Sequence, residues 1–321
     1  MNRRKKWIIA AVILLGAGVL ICGITFAAAG FDFKKLGSTD YETNTYEIRE
    51  EFKNISVKAG TDDIIFKPSE DGRCTVVCHE KETEKHEVRV EDGTLKITGK
   101  DILNWFNFNL FDFDGPSVTV YLPEKEYGSL AVNAGTGGLQ VPEGLTFDDI
   151  HAEISTGSVQ CGASAKNAVE IKASTGDIRA ENMSAGDIIL SVSTGSIKAA
   201  SLNSSGKVDV HVTTGEAKLE AVTCKDLYSD GSTGDLIMKD VTASGQFHLE
   251  RTTGDILFEA CDAGEIYAKA STGDVRGTLL SDKVYLTSTA TGDVDVPQTV
   301  EGGKCEIKTS TGDIRISVTA Q

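Results

Sequence analysis

From Ile150 to Ile316 the chain keeps one hydrophobic rhythm, counted from the Gly of a recurring Thr-Gly pair. Seven and five positions before that Gly stand mainly apolar residues: Ile150 and Ala152, Val169 and Ile171, Ile188 and Leu190, Val208 and Val210, Phe247 and Leu249. Two and four positions after it the same holds, as at Val159 and Cys161, Ile178 and Ala180, Ile197 and Ala199, Leu236 and Met238, Ile314 and Ile316. The residues between are mostly polar, for example Glu170, Asp209, His248, Gln160, Arg179, Lys198 and Arg315. A period of two means a strand buried on one face. Each unit therefore contributes one strand before the Thr-Gly and one after it.

The glycines fall at 137, 157, 176, 195, 215, 234, 254, 273, 292 and 312, always 19 or 20 residues apart. A second turn comes about half a period later, at Gly186, Gly206, Gly245 and Gly264. Two strands and two turns in 19–20 residues describe one coil of a β-solenoid, and self-similarity at this period marks a stacked repeat. The expected fold is all-β, a β-helix-like solenoid of about ten coils at a spacing of about 4.8 Å. An antiparallel meander folded into a sandwich is the competing architecture. It is disfavoured because both strands keep the same faces through every unit.

Six of the ten pairs continue as Thr-Gly-Asp. As a corner the motif has a plain rationale. Gly adopts positive φ without steric cost, and Thr and Asp side chains bond the N–H groups that leave the ladder. Gly157, Gly176, Gly195, Gly215, Gly234, Gly254, Gly273, Gly292 and Gly312 are thus read as structural turns. The functional alternative is a calcium ladder along Asp235, Asp255, Asp274, Asp293 and Asp313, whose stacked carboxylates repel. Against it, the calcium solenoid pattern Gly-Gly-x-Gly-x-Asp does not occur, and Ser158 and Ser196 interrupt the row. No cofactor is expected.

Ahead of the Thr-Gly region (136–321), residues 46–135 alternate without a clean period and read as opening coils or a cap, with a hairpin around Asp92-Gly93. One stretch breaks the texture. "DILNWFNFNLFDFDG", 101–115, holds Trp105, Phe106, Phe108, Phe111 and Phe113. It reads either as a closing cap or as an exposed aromatic interface for a partner or membrane surface.

The N-terminus divides differently. A basic tail, 1–6, precedes 23 uncharged residues from Trp7 to Ala29, and 30–45 serve as linker. About 20 apolar residues span a bilayer as a helix, more than a signal-peptide core needs. The expectation is one retained transmembrane helix with the basic tail cytoplasmic and residues 30–321 outside. That places the chain at the cell membrane as a single-pass protein. Beyond residue 30 the chain holds 28 basic and 48 acidic residues, which argues against nucleic acid as a partner.

Catalytic signatures are lacking. His79, His86, His151, His211 and His248 are scattered, and no metal-ligand spacing or His-paired nucleophile appears. The cysteines beyond the apolar segment, Cys74, Cys78, Cys161, Cys224, Cys261 and Cys305, read as small buried hydrophobes.

The apolar segment, "F-x-x-I-x-V" at Phe52, Ile55 and Val57, "VTVYLP" at 118–123 and the recurring "STGD" together resemble a known family. It is the bacterial β-strand-repeat family called toastrack, labelled "putative adhesin", and the likeness covers roughly residues 46–321. The resemblance implies a solenoid fold in the cell envelope, often of Gram-positive bacteria, with an association with envelope-stress sensing. It implies no catalytic residues. The functional expectation is a non-enzymatic, membrane-anchored scaffold, sensor or adhesin-like module whose partners are envelope membrane proteins or wall polymers. The alternative is a polysaccharide-binding or polysaccharide-degrading β-helix protein.

Overall fold

The computed structural model describes residues 41–99 and 115–319, together with Gly16 and Gly18. Strands of equivalent phase stack in parallel. Upstream of the Thr-Gly corner, Ile150 pairs with Val169, Val169 with Ile188, and Ile188 with Val208. Downstream, Val159 pairs with Ile178, Ile178 with Ile197, and Ile197 with Ala217. The offset is the repeat length each time, so the chain winds as a β-solenoid and not as a meander. Ile171, Leu190, Val210, Ile178, Ala199 and Leu219 are fully buried in its interior. Burying a Val or Leu side chain stabilises by about 1.5–3 kcal/mol. Each coil obtains that only by lying on its neighbours, because one coil alone has no floor or ceiling.

The second strand of the central coils is bent. Asn182, Ser201, Ala221, Asp240 and Ala260 have φ between 51° and 55°. At each bend the alternation slips by one residue, so Ala199 and Leu202 both point inward although three apart. The coil thereby gains a third, short side. The sequence carries this signal in Met183, Leu202, Val222, Val241 and Cys261, all apolar seven residues after the corner Gly.

Sequence order and stacking order part company at both ends. Strand Asn54–Ala59 lies between Glu126–Thr136 and Thr94–Thr98, and Asp63–Pro68 lies between Leu139–Val141 and Ser117–Leu122. The first coil is therefore inside the second. At the other end, Ile266 pairs with Cys305 and Cys305 with Tyr285. The last coil, Gly303–Thr311 and Ile314–Val318, is inserted beneath the penultimate one, Lys283–Thr291 and Val294–Asp295.

Two antiparallel strands cover the N-terminal end. Cys74–Lys81 pairs with Ser117–Leu122, and Glu87–Glu91 forms a hairpin with Thr94–Thr98 through Asp92 and Gly93, both at positive φ. Between Thr98 and Ser117, where other coils turn at Thr-Gly-Asp, the chain carries the aromatic stretch. Trp105, Phe106, Phe108, Phe111 and Phe113 lie outside the described residues, as does the apolar segment Trp7–Ala29 apart from Gly16 and Gly18. Among the described residues no helix is long and apolar enough to cross a membrane.

One interior position is anomalous. Three residues before the corner Gly, neighbouring coils carry Ala173, Val192, Val212 and Ala270, all inward. Here Gly231 and Arg251 occupy adjacent coils, and Arg251 is only 3% exposed. Its guanidinium fills the space Gly231 leaves; a Cβ on Gly231 would stand 3.2 Å from Arg251 Cζ. Nη2 donates to Ser229 Oγ at 2.9 Å and Nη1 to the Glu250 carbonyl at 2.8 Å, while Ser229 Oγ donates to the Val210 carbonyl at 3.1 Å. Burial lowers the Arg251 pKa to about 10, with Asp230 and Asp235 opposing the shift. The group stays charged at neutral pH.

Candidate functional site

The corner acids are occupied by the coil stack. Asp177 Oδ1 accepts the backbone N–H of Ser196 at 2.8 Å, one coil on. Asp235 does the same for Asp255, Asp255 for Asp274, Asp274 for Asp313 and Asp313 for Asp293, all at 2.8–2.9 Å. The second oxygens turn to arginine: Arg276 Nη2 is 3.2 Å from Asp255 Oδ2, and Arg315 Nη2 is 2.6 Å from Asp313 Oδ2. Each carboxylate thus satisfies a donor that leaves the ladder at the corner. The glycines complete the arrangement with φ between 118° and 149° over the ten Thr-Gly corners.

Outward side chains form rows along the stack. After the corner they run Gln140, Gln160, Arg179, Lys198 and Lys218, brought into line by the parallel register. Glu181 holds Lys198 at 3.2 Å. A shallow groove of about 480 Å³ beside this row is lined by Lys67, Gln140, Glu143, Gln160 and Glu181. The histidines do not converge. His151 meets Glu170 at 3.0 Å, His211 meets Asp230 at 2.6 Å, and the His248 ring stacks on Tyr267 with centroids 4.7 Å apart.

A polar cluster does converge at the N-terminal cap. Cys78 and Glu80 point inward from strand Cys74–Lys81, and His86 precedes strand Glu87–Glu91. His86 Nδ1 lies 2.6 Å from Glu80 Oε2, and its Nε2 lies 3.2 Å from Asp62 Oδ1. Glu80 Oε1 accepts from Asn44 Nδ2 at 2.7 Å. All four residues are buried, with Glu80 1% and Asp62 5% exposed. Burial opposes an imidazolium, but Asp62 and Glu80 outweigh it, so the His86 pKa is raised. Sequence reasoning missed this cluster, because residues 62, 78, 80 and 86 meet only through the antiparallel cap.

The six cysteines of the described residues are free and buried. Burial pushes Cys161 and Cys261 up to about 11, and Cys224 and Cys305 to about 12. A thiol reacts as its thiolate. In the folded protein at pH 8, these four should resist an aromatic disulfide reagent and react within seconds of denaturation. Rapid labelling of any of them in the folded state would contradict this burial.

Compared with known families, the chain matches the model described as Toastrack DUF4097 over residues 52–221 and 203–321. The chain belongs to the toastrack family. No curated protein matches this toastrack chain significantly. Among solved structures it is similar to a "putative adhesin" from Bacteroides fragilis, at 17% identity and a TM-score of 0.42, over 87% of this chain and 98% of that one. A second "putative adhesin", from Parabacteroides distasonis, is 14% identical with a TM-score of 0.48 over the same shares. A "putative cell adhesion protein" from Clostridium sporogenes is 12% identical with a TM-score of 0.23, over 87% of this chain and all of that one.

Proposed function

We propose that this toastrack protein is a non-enzymatic envelope module, held in the membrane by Trp7–Ala29 and presenting residues 30–321 outside the cell. In this reading it scaffolds or senses contacts with wall polymers or envelope membrane proteins. The observation that carries it is the use of the repeated polar motif. The corner carboxylates of Asp177, Asp235, Asp255, Asp274 and Asp313 are engaged coil to coil, and the side chains that differ from one coil to the next are those of the outward rows. Such a surface suits recognition of an extended partner more than chemistry at a point, which needs an acid and a base within reach of one bond. The uncharged 23-residue segment behind a basic tail supports the anchor and its orientation.

Protease added to intact cells is expected to digest the coils while sparing an epitope on residues 1–6. Crosslinking the full chain in its native membrane should then capture defined envelope proteins or wall fragments. Protection of the coils from external protease would overturn the topology. A second reading, a polysaccharide-binding face, is favoured by the Gln140–Gln160–Arg179–Lys198 row and its groove. It expects saturable binding of wall polysaccharide without turnover, whereas turnover would replace both readings with an enzyme.

A further inference from the structure

We propose that Cys78, Glu80 and His86 form a binding site for a divalent metal ion of borderline softness, zinc foremost, which ties the antiparallel cap to the solenoid. A thiol sulfur, a carboxylate oxygen and an imidazole nitrogen are here within 4.8 Å of one another, on three buried residues. Sulfur with nitrogen and oxygen donors is a set that zinc accepts, at bond lengths of about 2.0–2.3 Å. Bonds of that length place ligand atoms roughly 3–4 Å apart, so the His86–Glu80 contact has to open by only about 1 Å.

A further observation points to a ligand at this place, and it lies in the imidazole itself. His86 is 6% exposed, yet its Nε2 lacks an aligned hydrogen bond, because Asp62 Oδ1 stands 3.2 Å away but off the N–H direction.

Metal binding at Nδ1 resolves this. Nδ1 gives its lone pair to the ion, Nε2 keeps its proton, and a small rotation of the ring brings that N–H onto Asp62. This is the carboxylate–histidine–metal arrangement that fixes a ligating imidazole. Cys78 binds as thiolate and releases its proton to solvent, and any proton on Nδ1 leaves with it. Asp62 is a positioning residue here, since it acts through His86. The ion would join strand Cys74–Lys81 to the segment that opens the Glu87–Glu91 hairpin. Gly99 leaves room for the ring; a Cβ there would stand 3.1 Å from His86 Nε2.

The test uses the full-length chain, stripped with a chelator and titrated with cobalt(II), then with zinc in competition. One equivalent of cobalt should bind with a sulfur-to-cobalt charge-transfer band in the near ultraviolet, and zinc should abolish that band. Cys78→Ser should remove the band, while Cys74→Ser, four residues further from Glu80 on the same strand face, should keep it. Asp62→Asn should weaken zinc binding roughly 10–100-fold while leaving the band in place at saturation. Because Cys78→Ser could perturb the cap, His86→Gln serves as a second variant. It should lose the rise in melting temperature that zinc gives the wild type. The site is overturned if cobalt binds without a thiolate band, if the band survives Cys78→Ser, or if zinc stabilises wild type and His86→Gln equally.

Discussion

Gly195→Ala is expected to lower the stability of the solenoid on the order of 4 kcal/mol. Two separate terms add. The backbone at Gly195 has φ +139°, a region that L side chains enter at a cost of about 1–3 kcal/mol. The new methyl would also stand 2.7 Å from the carbonyl carbon of Gly176 and closer still to its oxygen. It can be accommodated only if two coils part, which breaks the Gly176 N–H bond to Thr194 O and the Ile178 N–H bond to Ser196 O, both now 2.9 Å. Gly72→Ala is the matched control. Gly72 has φ +72° with nothing within 4 Å of the new methyl, so it should lose only about 1 kcal/mol. Denaturant unfolding compares the two, and hydrogen exchange should place the Gly195→Ala damage in the coils flanking residue 195. Equal losses for both variants would mean that coil-to-coil contact at the corner contributes nothing.

The buried guanidinium gives the second large effect. Ser229→Ala removes the acceptor of Arg251 Nη2 and leaves a charged donor unpaired in a dry interior, at a cost of about 1–3 kcal/mol. Arg251→Met keeps most of the volume and removes the charge. Replacing a buried charge by an apolar side chain of similar size is often neutral or stabilising. Arg251→Met is therefore expected to unfold at or above the wild-type denaturant midpoint, and Ser229→Ala in its background should cost under about 0.5 kcal/mol. A full Ser229→Ala loss in the Arg251→Met background would show that Ser229 acts through its own bond to Val210 and not through the arginine.

Much of the coil was legible because its determinants are local. Alternation at Val208 and Val210 sets which face is buried, and Gly215 sets where the chain turns; both operate within a few residues. The order of the coils was not legible. Every coil offers the same period, the same corner and the same inward faces, so a strand such as Gly303–Thr311 fits equally well on any neighbour by pattern alone. Side-chain volume and connection length choose among them, and neither shows as a periodicity. Arg251 could have been found as the one charge in an otherwise uncharged column. The Cys78–Glu80–His86 cluster could not, because its members share no spacing and are joined by antiparallel pairing outside the repeat.

The interleaved ends bear on how such a chain can change in length. In an ordinary stacked repeat, a duplicated unit can be appended at either terminus and finds a free face waiting. Here the first and last coils in sequence are each one layer inside the stack, held from both sides. An added C-terminal unit would emerge from an interior layer with no open face above it. The same threading imposes an order on assembly, since Lys283–Thr291 cannot take its final place until the residues that follow it have passed beneath. Growth and shrinkage by whole coils are thus confined to the middle of the molecule, between Thr146 and Thr272, where neighbours in sequence are neighbours in space.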